Sequence, residues 1–437
     1  MQFIPPLSKT ILTKKNKTSF YLINFAFLKL LLFALAFSWF FSACSGSKRF
    51  TSEEEEFYEK EFKPASNSIR VLLDENPSAL FLTLQSKIDL YNGKKKVAEI
   101  YSGNVVKCYS AGENINIKIG RQNFFGKYFQ IVPAKGESIV KFNGKSYRGG
   151  IRIVPDNSTI NLINFIGLDD YLKGVIAKEM PLGKNDENFE ALKAFAITAR
   201  TYAVNKLNEG KLLFDIFPDT RDQVYGGVNA ENSYSNKAVD ATKGMILIYD
   251  DKPAIVYYHS TCGGFTESVE NVFPRQPLPY LISIKDGSEP FCKISPRYEW
   301  KESYTEEQFI DDLFNAKLIG SKNFNLEDIS IESKFPSGRV ENLKIVLRNK
   351  SGGMKEINLY GNDIRTKIKT VKRNLSLWST LFNINFSDGN VTIEGHGFGH
   401  GVGLCQWGAI GQSRKGADYK EILRHYFPGT QIGILND

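Results

Sequence analysis

Only four histidines occur in the 437 residues, at positions 259, 396, 400 and 425. Any chemistry that needs imidazole is therefore confined to the second half of the chain. No C-x-x-C pair occurs among the five cysteines, so the paired-thiol spacing of common zinc modules is missing. Ser260 lies outside any G-x-S-x-G turn, which removes the usual setting of a serine nucleophile. The Gly-rich block at 395–403 runs into Leu404-Cys405-Gln406 and not into Lys-Ser/Thr, which excludes a phosphate cradle of the Walker form. No basic stripe with interleaved aromatics is present, so nucleic-acid binding has no electrostatic footprint. No internal repeat is visible. Aromatics are plentiful by contrast: they make up 13% of the chain, with 32 Phe and 20 Tyr, a content that suits a β-rich core or a carbohydrate cleft. Hydrophobic residues at 42% and charged residues at 24% are globular values. The length allows one large or two to three ordinary domains.

The first 43 residues point to export. Lys9, Lys14, Lys15, Lys17 and Lys29 precede or flank an uncharged apolar run, LLLFALAFSWFFSA, at 30–43. A basic n-region, an apolar h-region and small residues before Cys44 describe a signal peptide. The placement of Cys44 resembles a bacterial lipobox, in which this cysteine carries diacylglycerol after cleavage. The alternative is an uncleaved anchor from about residue 22, with Lys29 snorkelling. Removal of residues 1–43 takes away five lysines and no acid, so the formal charge falls from +8 to +3.

The polar stretch 45–68 reads as a flexible tether with possible helix at 52–61. Residues 69–165 alternate β-branched or aromatic residues with polar ones and break at Asn92-Gly93, Asn143-Gly144 and Asp156-Asn157, which predicts a series of short strands. The clearest are IRVLLDE, LFLTLQ, KIDLYN, YFQIVP, YRGGIRIVP and TINLINFI. Helices are predicted at 169–178 and 187–208. The second carries Phe189, Leu192, Phe195, Ala196, Ala199 and Tyr202 on one apolar face, with Asp186 as its N-cap. A hairpin over 244–260 turns at Asp250-Asp251. Strands near 328–333, 341–348 and 354–359 mark an inserted α+β segment at 300–390. Helices at about 404–415 and 418–426 follow the Gly-rich loop. The class is α+β, with many short antiparallel strands, a helical catalytic segment and an inserted α+β subdomain.

Three clusters carry chemistry. Glu179 sits between an apolar-faced helix and Met180-Pro181; Pro181 stops the helix and disfavours helical geometry at Met180. A carboxyl fixed there beside apolar groups is placed to have a raised pKa and to act as a general acid. The second cluster is GHGFGHGVGLCQWGA at 395–409. Its alternating glycines let backbone approach a ligand closely, and His396, His400, Gln406 and Trp407 offer neutral donors and a flat surface for a sugar. The third is Tyr257-Tyr258-His259-Ser260-Thr261-Cys262-Gly263-Gly264. His259 and Cys262, with Cys292 and either His400 or Cys405, would make a Cys/His zinc site. A Cys262–Cys292 disulfide and free buried thiols are the alternatives, and the four cysteines beyond Cys44 allow three full pairings. The histidines in Gly-rich turns, together with Glu179 upstream, predict that distant segments converge on one cleft.

These motifs resemble the SpoIID/LytB family. The resemblance is carried by Asp170-Tyr171-Leu172-x-Gly174-Val175-x-x-x-Glu179-Met180-Pro181 and by Ala191-x-Lys193-Ala194-x-Ala196-x-x-Ala199-Arg200-Thr201-Tyr202-Ala203. It continues in the His259-Ser260-x-x-Gly263-Gly264 turn and in Gly399-His400-Gly401-Val402-Gly403-Leu404-x-Gln406-Trp407-Gly408-Ala409. It runs from about 147 to 434. It implies a lytic transglycosylase that cleaves peptidoglycan between N-acetylmuramic acid and N-acetylglucosamine, with Glu179 as the catalytic acid. Tyr171, Tyr202, His259, Ser260, His400, Gln406 and Trp407 are the expected substrate-binding residues. No cofactor is required; some members bind zinc through Cys and His, and the weak candidates here are His259, Cys262 and Cys292. Members of the LytB type are described as enhancers of an amidase, so a non-catalytic glycan-binding module is the rival expectation. The partners implied are glycan strands stripped of stem peptides, a cell-wall amidase and, through the lipid, a membrane. The lipobox points to ordinary wall turnover or division rather than sporulation. The expected order is a lipoprotein signal peptide at 1–43, a lipid-anchored tether at 44–68, a β-rich part at 69–165, a catalytic core at 166–299, the inserted subdomain at 300–390, and a closing segment at 391–437. The expected location is outside the cytoplasm, on the membrane, facing the periplasm or cell wall.

Overall fold

The computed structural model describes residues 67–134, 139–184 and 186–435. The chain divides into two compact units, 1–61 and 62–437, and only the second contains described residues. The expected signal peptide, Cys44, the expected helix at 52–61 and nearly all of the expected tether lie outside the described residues.

Alternation builds the first third of the second unit. In Ala79–Leu84 the side chains of Leu80, Leu82 and Leu84 are buried while Phe81 is 54% exposed. In Asn114–Ile119 the buried residues are Ile115, Ile117 and Ile119. A period of two puts every second residue on one face. Two six-stranded antiparallel sheets result. One runs in the order Ser68–Glu75, Thr159–Gly167, Gly150–Asp156, Phe129–Pro133, Ile88–Asn92, Lys95–Ile100; the other runs Lys145–Tyr147, Val140–Phe142, Ala79–Leu84, Val105–Ala111, Asn114–Ile119, Gln122–Gly126. Their inner faces share one hydrophobic core. The six expected strands are present, and Gly93, Asn143, Gly144 and Asn157 turn with positive φ at the expected breaks. Cys108 is fully buried in this core.

Two helices continue this core. Helix α1, Leu168–Glu179, buries Tyr171, Leu172, Val175 and Ile176. Helix α2, Phe189–Asn208, was expected to be one-sided. It is buried almost all round, from Ala191 to Val204, and packs against α1, α3 (Ser233–Ala241) and two helices near the C-terminus. Its alanines let those neighbours approach from several sides at once. Asp186 is not its N-cap: that residue adopts φ 63, and Asn188 occupies the cap position.

Residues 299–396 form a second hydrophobic core, from Trp300 to Ile393. It contains α4 (Glu306–Asn315), capped by the Thr305/Gln308 box, and α5 (Asn362–Lys367). One sheet joins Phe324–Lys334, Val340–Asn349 and Met354–Tyr360; another joins Glu299–Thr305, Asn390–His396 and Phe382–Ser387. Chain entry and exit meet in the second sheet, where Glu299 pairs with His396. Helices α6 (Gln406–Arg414) and α7 (Tyr419–Tyr426) then return to the first core.

The hairpin at 244–260 is shorter than expected. Met245–Tyr249 turns at Asp250-Asp251 into the two-residue strand Lys252–Pro253, and its other edge pairs with Gln431–Ile434. Tyr258 and His259 instead pair in parallel with Leu404 and Cys405. This delays the start of α6 to Gln406.

Candidate active site around Glu179

Glu179 is the last residue of α1. Met180 leaves the helix in extended geometry, φ −134 and ψ 135, and its N–H closes the last turn on Ile176 O at 3.0 Å. The extended setting is the one that a following proline favours. The half-buried carboxyl thus projects from a fixed helix end. Its Oε1 accepts the Val224 N–H at 2.6 Å, and the Gln406 side chain donates to the same carboxylate. Burial raises its pKa above the ordinary value of 4.5, and the two donors only partly offset that. The negative end of the α1 dipole acts in the same direction as burial.

The loop that supplies Val224 is pinned on both sides. Upstream, Asp215 Oδ1 meets Arg70 Nη2 at 2.6 Å on the first strand of the sandwich. Asp222 accepts from the Tyr202 hydroxyl at 2.8 Å and from the Phe217 N–H at 2.9 Å. Downstream, the Gly226 N–H bonds to Gly174 O in α1 at 3.0 Å. A backbone amide carries no side-chain signature, so the role of this loop was not foreseen. The turn signal Gly226-Gly227 after an aromatic was the available clue.

Gln406 arrives from the other direction. The parallel pairing of 258–259 with 404–405 joins the two histidine motifs. Leu404 N–H reaches Tyr257 O at 3.0 Å, and Trp407 N–H reaches Ser260 O at 3.0 Å. The glycine alternation was expected to admit a ligand. It instead admits the chain's own backbone: a Cβ on Gly403, φ 70, would stand 2.2 Å from Tyr257 O.

The expected site residues divide accordingly. Gln406 touches Glu179, and Trp407 and Ser260, bonded to each other through Trp407 N–H and Ser260 O, are half-buried. Tyr202 is half-buried and bonded to Asp222. Tyr171 is fully buried and its hydroxyl donates to Gln223 Oε1 at 3.2 Å. It therefore supports the loop from behind and faces no solvent. His259 Nδ1 lies 3.1 Å from Val402 O. His400 accepts the Val402 N–H on Nδ1 at 3.1 Å, and its Nε2 lies 2.9 Å from Tyr258 O. Burial keeps both imidazoles neutral, with His400 pushed down to about 3. They brace the turn rather than exchange protons near neutral pH. His396 is exposed at the edge of the second core, beside Tyr298.

The neighbouring acids are committed elsewhere. Asp169 holds Arg200 Nη2 at 2.7 Å, and Asp222 holds Lys206 at 3.1 Å as well as Tyr202. A groove of about 620 Å³, lined by Trp300, Phe382 and His396 among others, belongs to the second core and includes none of the groups around Glu179. The zinc expectation is corrected in its ligands. His259 is not among the clustered cysteines; Cys405 and Asp286 join Cys262 and Cys292 there. Among the described residues no helix is long and apolar enough to cross a membrane.

Gln406→Ala removes one donor from the carboxylate, so it is expected to raise the Glu179 pKa further. A ¹³C NMR titration of the Glu179 carboxyl reads this directly, and an unmoved or lowered midpoint would sink the assignment.

Fold and site together define an α+β protein with a half-buried carboxyl of raised pKa at a helix end, walled by two turns from far along the chain. A family model described as stage II sporulation protein, SpoIID, matches residues 156–249. A second model, described as a domain of unknown function, matches 291–403. The chain is 33% identical over 284 residues to stage II sporulation protein D of Bacillus subtilis, covering 61% of this chain and 74% of that protein. It is 32% identical over 376 residues to an uncharacterised protein of Brachyspira hyodysenteriae, covering 85% and 94%. It is also 29% identical over 358 residues to the amidase enhancer of Bacillus subtilis, covering 66% of this chain and 48% of that protein, and so spans about half its length. The chain belongs to the SpoIID/LytB family.

Proposed function

We propose that the protein is a peptidoglycan lytic transglycosylase that works outside the cytoplasm, with Glu179 as its single acid and base. The observation that carries this reading is one half-buried carboxyl of raised pKa, held by the Val224 N–H and Gln406. Protonated Glu179 gives its proton to the glycosidic oxygen as the bond from C1 of N-acetylmuramic acid breaks. The carboxylate left behind takes the proton of the 6-hydroxyl on the same sugar. The 6-oxygen then bonds to C1 and closes a 1,6-anhydro ring. No water is consumed, and the carboxyl returns to its starting state. Hydrolysis at a glycosidic bond ordinarily uses two carboxyl groups, and Asp169 and Asp222 are occupied by Arg200, Lys206 and Tyr202. Ser260 and Trp407, half-buried on the segments that carry Gln406 to the site, supply candidate contacts to the sugar. Cys44 is proposed to carry the lipid that holds the domain at the membrane.

Digestion of purified, peptide-stripped glycan should yield products with anhydro ends, each pair one water lighter than hydrolysis would give. Mass spectrometry that finds reducing ends in their place overturns the transglycosylase reading. A second reading is favoured by the likeness to the amidase enhancer: the cleft binds glycan and stimulates a cell-wall amidase without cutting. Glycan binding without any product from the wild-type chain supports that reading.

A further inference from the structure

The proposed reaction makes no use of a cluster that lies behind the Ser260 and Gln406 segments. Cys262 Sγ and Cys292 Sγ are 3.4 Å apart. Cys405 Sγ accepts the Cys262 N–H at 3.1 Å and the Gly408 N–H at 3.3 Å. Asp286 Oδ2 accepts the Cys292 N–H at 2.9 Å, and Oδ1 accepts the Tyr426 hydroxyl at 2.5 Å. One ligand atom from each of Cys262, Asp286, Cys292 and Cys405 falls within 4.8 Å of all the others, and all four residues are buried.

We propose that Cys262, Asp286, Cys292 and Cys405 bind one Zn²⁺ as a closed structural centre. Zinc holds thiolate sulfur at about 2.3 Å in a tetrahedron, which sets sulfur–sulfur edges near 4 Å. The spacing found here brackets that value. A disulfide brings sulfurs to about 2 Å and joins only two of them; it leaves the third sulfur and the buried carboxylate outside the bond. As ligands the three cysteines would be thiolates, and with the carboxylate they are costly to bury unless a cation compensates them. Arg339 supplies one positive charge beside the cluster, donating to Cys262 O at 2.7 Å, and the N-terminus of α6 adds its dipole. A divalent cation supplies two more. The support around the four groups is that of a metal site, in which backbone N–H groups and a hydroxyl orient the ligands. Gly408 belongs to this support: a Cβ there would stand 2.0 Å from the Tyr426 hydroxyl and 2.7 Å from Asp286 Oδ1.

Four protein ligands leave no open position for water, so the centre has no part in proton transfer. It ties together the 257–264 turn, the 286–292 loop and the start of α6. The residue after Cys405 is Gln406, which donates to Glu179. The metal thus fixes the position of a donor to the catalytic carboxyl without touching substrate.

The test is metal analysis of the full chain, purified in detergent without chelator, independent of any glycan assay. One zinc per chain is expected, and its removal by a strong chelator should lower Tm. Replacement by Co²⁺ should give thiolate-to-cobalt absorption with tetrahedral ligand-field bands. Cys292→Ser should lose the metal. Where that variant fails to fold, Asp286→Asn keeps all three thiols and is expected to release cobalt faster and shift the ligand-field bands. A chain free of metal overturns the proposal, whether its thiols are free or mass spectrometry finds a Cys262–Cys292 disulfide. So does an Asp286→Asn variant whose cobalt spectrum is unchanged. Loss of glycan cleavage with the zinc intact would count against the proposed function alone.

Discussion

Glu179→Gln is expected to slow glycan-strand cleavage by about 10²–10⁴-fold, the contribution ordinarily made by one positioned acid or base. The amide keeps the size of the side chain, and its oxygen still accepts the Val224 N–H. Substrate binding should therefore persist while turnover falls. Folding stability gives a second, independent readout. Burial raises the folded pKa of Glu179 above its ordinary 4.5, so folding favours the protonated form. That contribution is complete below the unfolded pKa and is lost as pH rises through the folded pKa. Glutamine loses nothing over that range. The variant should match the wild type in acid and be the more stable of the two at pH 8. Melting curves at both pH values test this. Unchanged cleavage in the variant removes Glu179 from the reaction, and equal stability at every pH removes the raised pKa.

Arg200→Met is expected to destabilise the fold by about 3 kcal/mol in urea unfolding, at the low end of the range for breaking a buried ion pair. Arg200 is fully buried and Asp169 keeps 26% exposure, which argues for the low end. Arg200 Nε reaches Asp169 Oδ1 at 2.8 Å, and Nη1 reaches Met245 O at 3.0 Å. The substitution strands both acceptors inside the packing of α1, α2 and the Met245–Tyr249 strand. The double variant Arg200→Met/Asp169→Leu should recover part of the loss, because an apolar pair leaves no orphaned charge. A cost below about 1 kcal/mol for the single change would mean that solvent screens the pair as it does on a surface.

Arg200 also illustrates what the sequence makes legible. The Ala-Arg-Thr-Tyr run stands out as a motif, yet its arginine is structural: it lies 31 residues from its partner in sequence, and a partner at that range is not written in local spacing. Helix α1 and the position of Glu179 were legible because apolar periodicity and Met180-Pro181 act within a few residues. The sandwich strands were legible for the same reason. The donors to Glu179 were less so. Gln406 was named as a sugar ligand, but its contact with Glu179 depends on a parallel pairing only two residues long. Val224 acts through backbone, and Asp286 sits alone in a loop with nothing to mark it as a neighbour of three cysteines. Asp186 failed as a cap because its backbone is left-handed, a setting that side-chain preference does not report.

The pairing of Glu299 with His396 has a consequence for how the cleft assembles. Bringing Tyr258 beside Leu404 closes a loop of about 145 residues, and the entropy lost grows with the logarithm of that length. Once the 299–396 segment has folded on its own core, its two ends already lie about 5 Å apart. The chain that must still be closed shrinks to about 50 residues, which lowers the entropic cost by about 1 kcal/mol. The insertion thus acts as a short circuit: it eases the meeting of the two distant turns while supplying neither of the donors that hold Glu179.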